Sequence, residues 1–214
     1  MSKNPKYWSK AKKYLSKKDK VIKRLILTYK DVTLTTRRDI FYSLVKAVCG
    51  QQVSTKSSEA IFNRLKIRCK GKINPKVINK LSLANLRRCG LSRMKALGLK
   101  DISKKIITKE FNPSLLRKMN DEDAITYLSS LRQIAVWSGM MILIFTLNRP
   151  NIWPTYDKKK TLDIGLLRAI SKNYKKDYLP PIKFTNDLGK KFSPYCSVAT
   201  MFLWRSIDTT AIQY

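Results

Sequence analysis

The sequence contains no histidine, 7 glycines in 214 residues, and 14 Asp and Glu against 45 Lys and Arg. Each shortage excludes something. Without histidine there is no Ser-His-Asp or Cys-His catalytic pair. The four cysteines, Cys49, Cys69, Cys89 and Cys196, form no CxxC pair. With no histidine to join them, no zinc or iron–sulfur site and no other cofactor is expected; they read as free, part-buried thiols of a reducing compartment. The longest apolar stretch, MMILIFTL from Met140 to Leu147, is far short of the roughly 20 residues a spanning helix needs. The first residues, MSKNPKYWSKAKKYLSKK, hold no apolar signal core. The expectation is a cytoplasmic, nucleoid-associated monomer with no signal peptide and no membrane contact.

What is present is positive charge and helical patterning. The formal net charge is +31, a field that attracts polyanions; a lysine-rich genome writing Lys at tolerant surface positions is the plainer source of it. Hydrophobic content of 43% suffices for a real core. DIFYSLVKAVC puts Ile40, Phe41, Leu44, Val45 and Val48 on one helical face. STKSSEAIFNRL starts a helix with Ser54 as N-cap. SLANLRRCG ends at a glycine, and NDEDAITYLSSL begins with acids suited to a helix start. VWSGMMILIFTLN is apolar nearly all round and is expected to be the buried central helix. DIGLLRAISKNY and SPYCSVATMFLWRSI complete the set, with YKKDYLPPIKFTND as a proline-interrupted connection between the last two long helices. No stretch alternates like several strands. The fold class is all-α with short loops.

Two stretches read as more than core. In AVCGQQVSTKSSEAIFNRL, Gly50, Gln51 and Gln52 break one helix before Ser54 opens the next. That is a helix–loop–helix corner, and its adjacent glutamines offer several donors and acceptors suited to base edges or phosphates. In WPTYDKKKTLDIGLLRAI, Asp157 and Asp163 are the sole carboxylates. By local rules alone, Asp163 before an apolar helical run is an ordinary N-cap.

These stretches carry a family resemblance. GQQVS resembles the GQQxS corner of the helix-hairpin-helix DNA glycosylases of the 3-methyladenine DNA glycosylase II type. LRRCGLSRMKALGLKDIS (86–103) looks like the family's GLSxxK segment. YLSSLRQIAVWSGMMILIFTLNRPNIWP looks like its hairpin, buried helix and RPDxFP turn, DIGLLRAI like its DLGL helix start, and PYCSVATMFLWR like its PYRSVAxWYLWR helix. The five segments occur in family order over roughly residues 35–207. The resemblance implies two helical lobes flanking a cleft, here about 46–149 and 1–45 with 150–214. It also implies a hairpin whose backbone N–H groups hold one phosphate of double-stranded DNA, and a damaged base flipped out for excision.

The resemblance assigns roles residue by residue. Gln51, Gln52, Val53 and Ser54 at the corner, and Arg132, Gln133, Ile134 and Ala135 at the hairpin, correspond to DNA-binding positions. Gln52, or its neighbour Val53, corresponds to the residue that fills the gap left by the flipped base. Trp137, Met141 and Trp204 correspond to the base pocket, where aromatic faces attract a cationic purine. One aspartate supports the oxocarbenium-like transition state. Counting from the WP turn indicates Asp157; counting back from IGLLRAI indicates Asp163, which is preferred because it keeps its place before the helix. Two departures matter. The family's Leu-Pro-Gly-Ile-Gly hairpin is here Leu131-Arg132-Gln133-Ile134-Ala135, without either glycine. The position two past the hairpin, a Schiff-base lysine in bifunctional relatives, is Trp137, and the C-terminal region offers only Cys196 where endonuclease-type relatives carry four cluster cysteines. The expected protein is a monofunctional glycosylase for alkylated purines. A non-catalytic DNA-binding protein on a degenerate glycosylase scaffold, and a glycosylase for a deaminated base, are the alternatives.

Overall fold

The computed structural model describes residues 4–35, 39–157, 160–161 and 163–208. Among the described residues the chain forms α1 (Trp8–Lys18), α2 (Lys20–Thr28), α3 (Ile40–Gly50), α4 (Thr55–Arg68), α5 (Pro75–Lys80), α6 (Leu83–Arg88), α7 (Arg93–Ile107), a 3-10 turn (Pro113–Arg117), α8 (Asp121–Ser129), α9 (Val136–Phe145), α10 (Ile164–Tyr174), α11 (Ile182–Phe192) and α12 (Cys196–Arg205). It divides into two compact units, one from residues 1–36 and 143–213, the other from 37–142. No helix among the described residues is long and apolar enough to cross a membrane.

The helices start where short polar side chains replace the missing intrahelical acceptor. Asp19, Asp39, Ser54, Asn74, Ser82, Ser92, Asn120 and Asp163 each accept from the N–H three residues on. Helix C-termini use the abundant cations. Lys95 Nζ reaches the carbonyls of Cys49 (3.3 Å) and Gln51 (2.5 Å) after α3. Lys100 Nζ binds the Asn79 and Leu81 carbonyls after α5, and Lys172 Nζ the Ser206 carbonyl (3.0 Å) after α12. Part of the basic excess therefore satisfies terminal carbonyls and opposes the helix dipole.

In the 1–36/143–213 unit, α12 is the central element: every residue from Cys196 to Trp204 is buried, with α1, α2, α10 and α11 packed around it. In α9 the run from Met141 to Phe145 is buried, while Val136, Trp137 and Met140 are half-buried. Asp19, 5% exposed, joins three elements of the same unit. It caps α2 through Ile22 N–H (2.9 Å), accepts from Tyr174 Oη (3.0 Å) and receives Lys191 Nζ (2.6 Å). In the 37–142 unit, α7 packs against α3, α5 and α6, and α3 against α4. All four cysteines are free and buried.

Two expectations are corrected. The stretch YKKDYLPPIKFTND is not wholly a connection, because α11 begins inside it at Ile182 with Pro181 as N-cap. Proline suits a helix start, where no N–H is needed. The segment between the WP turn and Asp163 also holds extended structure: β1 (Tyr156–Asp157) pairs antiparallel with β2 (Lys160–Thr161), Asp157 opposite Lys160. Strands of two residues leave no periodicity to read.

Candidate active site and nucleic-acid interface

The corner and the hairpin lie in the 37–142 unit and are joined. Gly50 closes α3, Gln51 extends the chain, Gln52 turns it at φ 53°, and Ser54 caps α4 through Ser57 N–H (3.2 Å). Gln52 and Ser54 are exposed and Val53 is 39% exposed. Gln51 points elsewhere: its Nε2 donates to the Gln133 carbonyl at 2.5 Å, 82 residues along the chain. Its own carbonyl receives Lys95 Nζ, an ammonium that burial holds below its usual range. Gln51 is thus a brace between corner and hairpin.

The hairpin turns without glycine. Leu131 and Ile134 are buried anchors, with Leu131 N–H donating to Leu128 O (3.1 Å) and Ile134 N–H to Leu131 O (3.0 Å). Between them Gln133 sits at φ 71°, left-handed backbone that costs a non-glycine residue on the order of 1 kcal/mol. The strain is confined to this residue, since Ala135 keeps an ordinary φ. Two contacts hold it: the Gln51 bond, and Gly98 of α7, against which the Gln133 side chain lies so closely that a Cβ there would meet Gln133 Cγ at 2.4 Å and Cβ at 3.2 Å. Among the described residues the N–H groups of Arg132, Gln133 and Ala135 have no internal acceptor. Arg132 is exposed and touches Met94 Sδ at 3.9 Å.

This interlock makes a measurable prediction. Gly98→Ala is expected to cost about 1–3 kcal/mol by overpacking. Adding Gln133→Gly should recover the loss, because it removes both clashing carbons and relaxes the φ. Urea unfolding of the two single variants and the double closes the cycle; strictly additive effects would separate Gly98 from the hairpin.

Asp163 lies in the other unit. It is 7% exposed and opens α10, its Oδ1 accepting from Leu166 N–H (2.5 Å) and from the Trp204 indole Nε1–H (3.1 Å). Trp204 is itself buried and stacked on Phe145, ring centroids 6.0 Å apart. Gly165 leaves the room: a Cβ there would meet Asp163 Oδ1 at 3.2 Å. Helix α12 fixes both ends of the intervening segment. At its start Ser197 Oγ donates to Arg149 O (2.6 Å) and accepts from Ile152 N–H (2.9 Å), holding the RPNIWP turn. At its end Trp204 holds Asp163. The β1–β2 ribbon lies between these anchors in the chain. Asp157 is backbone of β1, and its side chain lies outside the described residues. Trp137 is half-buried and Met141 buried on α9. Burial pushes the Cys49 and Cys196 thiols up to about 12 and Cys69 to about 11, so none is a thiolate nucleophile at neutral pH.

Lys95, Gly98, Gly165 and Ser197 were not singled out from the sequence. Each lies within a family-like segment, GLSRMK, ALGLK, DIGLL or PYCSVA, which was the available signal.

Residues 45–192 match the HhH-GPD superfamily of base excision DNA repair proteins, and the chain belongs to that superfamily. It is related to DNA-3-methyladenine glycosylases. It is 28% identical over 208 residues to DNA-3-methyladenine glycosylase 1 of Schizosaccharomyces pombe, covering 92% of this chain and 87% of that one. It is 34% identical over 134 residues to YfjP of Bacillus subtilis, whose name proposes the same activity. That match covers 63% of this chain, and the chain spans about half of the Bacillus protein (45%). The solved structure of the S. pombe 3-methyladenine DNA glycosylase in complex with abasic DNA superposes with a TM-score of 0.78 at 25% identity, covering 96% of this chain and all of that one. The all-α fold is that of the helix-hairpin-helix glycosylases.

Proposed function

We propose that the protein is a monofunctional DNA glycosylase that takes an alkylated purine such as 3-methyladenine out of duplex DNA and hydrolyses its bond to the sugar. The observation that carries this reading is Asp163: a buried carboxylate, fixed by a helix N-terminus and an indole N–H, in a family that excises bases. As the base departs, positive charge develops on the sugar, and a preorganised anion stabilises it more in a water-poor site than in water. An alkylated purine is already cationic and leaves without a strong general acid, consistent with the absence of histidine. Trp204 serves this site by orienting the carboxylate; Trp137 and Met141 are the proposed base-pocket side chains. Trp137 in place of a lysine leaves no Schiff base, so the strand stays intact after base loss. On the DNA side, the open N–H groups of Arg132, Gln133 and Ala135 are proposed to take one phosphate, and exposed Gln52, with Val53 beside it, to fill the vacated stack.

The test is release of free 3-methyladenine from methylated duplex DNA, with the strand uncut until alkali is added. Duplex affinity is expected to fall steeply with salt, each neutralised phosphate adding about −0.9 to the log–log slope; a slope near zero between low and moderate salt would refute phosphate-led binding. One observation favours a second reading, a DNA-binding protein without catalysis: the hairpin lacks both glycines and strains Gln133. Tight duplex binding with no base released, alkylated or deaminated, would establish it.

A further inference from the structure

We propose a second DNA-backbone contact on the 37–142 unit, a cationic groove between the C-terminal ends of α4 and α6 and the start of α7. From residue 60 to residue 100 the chain carries 12 Lys and Arg and no carboxylate. The fold gathers several of these. Two adjoining, open surface depressions share Arg88; one is further lined by Arg87 and Ser92, the other by Arg64, Arg68 and Lys70. Two of the cations have internal work: Arg64 Nε donates to the Cys89 carbonyl at 2.8 Å, and Arg68 hydrogen-bonds the Cys89 side chain. Arg68, Lys70, Arg87 and Arg88 are exposed and pair with no carboxylate among the described residues. Some of this charge complements the helix dipoles of α4 and α6, but dipole complementation does not require two helix ends to turn their arginines into one shared hollow free of acids.

The groove is connected to the hairpin. Its edge is Ser92, the N-cap of α7, and two residues on, Met94 meets Arg132. A phosphodiester backbone resting on the hairpin N–H groups can continue along α7 into the groove, where guanidinium groups match phosphate oxygens in bidentate fashion. The partner is therefore the flank of the same duplex, and the groove lengthens the footprint without touching the reacting base. This inference rests on the DNA-binding part of the proposed function, not on its chemistry, so it stands or falls by binding even if no base is released.

The experiment compares Lys70→Gln/Arg87→Gln/Arg88→Gln with Lys76→Gln/Lys104→Gln/Lys118→Gln, which removes equal charge at exposed positions outside the groove. Duplexes long and short on either side of an abasic site are titrated against salt, with melting curves for both variants and the single Arg88→Gln as a milder check. The groove variant is expected to lose about tenfold in affinity for the long duplex and up to about 0.9 of salt slope per lost contact. It should bind the short duplex like the parent, and any base release at saturating DNA should be unchanged. Equal losses in the two triple variants would reduce the groove to part of the general field and overturn the proposal. So would no loss in the groove variant, or a parent that does not bind duplex DNA.

Discussion

Asp163→Asn is expected to abolish base release while leaving the fold and duplex binding intact. The asparagine keeps the size of the side chain and an oxygen for the Leu166 and Trp204 N–H donors, and Asn and Asp are near-equal N-caps. What disappears is one negative charge at a site 7% exposed. Losing a preorganised stabiliser of transition-state charge there costs about 3–4 kcal/mol, or about 10²–10³ in single-turnover rate. Affinity for duplex DNA, on the proposed reading, should hold or tighten slightly, because removing an anion lessens repulsion of phosphates. A variant that melts with the parent, binds with the parent and no longer excises fits this account. Equal loss of binding and excision would instead make Asp163 a structural cap.

Asp19→Ala is expected to be the largest stability change, about 2–4 kcal/mol. The substitution strips the cap of α2 and leaves Tyr174 Oη without its acceptor and Lys191 without its carboxylate. Burial alone would raise the Asp19 pKa; the Lys191 ammonium, the Ile22 N–H and the Tyr174 hydroxyl outweigh it, and the carboxyl sits below its ordinary value. A depressed folded-state pKa stabilises the fold above the ordinary carboxylate range, and that contribution is lost as pH falls through the folded value. Urea unfolding from neutral to acid pH should therefore show the parent losing stability below about pH 4, with the gap between parent and Asp19→Ala narrowing in the same window. A gap that stays constant with pH would assign the loss to helix capping alone.

Local chemistry was legible in the sequence. Ser54 and Asp163 read as N-caps because capping needs only one side chain and an N–H three residues on, and both cap. Order among five short segments was enough to indicate the family and its all-α fold. The interlock around the hairpin was not legible. Gln51 meets Gln133 across 82 residues and Lys95 meets Cys49 across 46, and neither pairing leaves a trace in spacing or periodicity. The loss of both hairpin glycines was visible, but that the strain falls on Gln133 and is held by Gly98 and Gln51 is a tertiary fact. For the same reason the bond from the Trp204 indole N–H to Asp163, 41 residues apart, was not legible. The start of α11 was hidden because two prolines break a pattern whether they end a helix or begin one.

The most direct measurement is the single-turnover rate of 3-methyladenine release from one methylated duplex by the parent, Asp163→Asn and Asp157→Asn, with melting temperatures recorded for all three. The account predicts a parent that excises, an Asp163→Asn variant slowed at least about a hundredfold, and an Asp157→Asn variant close to the parent. Excision that survives Asp163→Asn and fails in Asp157→Asn would contradict it, placing the working carboxylate on the ribbon rather than at the start of α10.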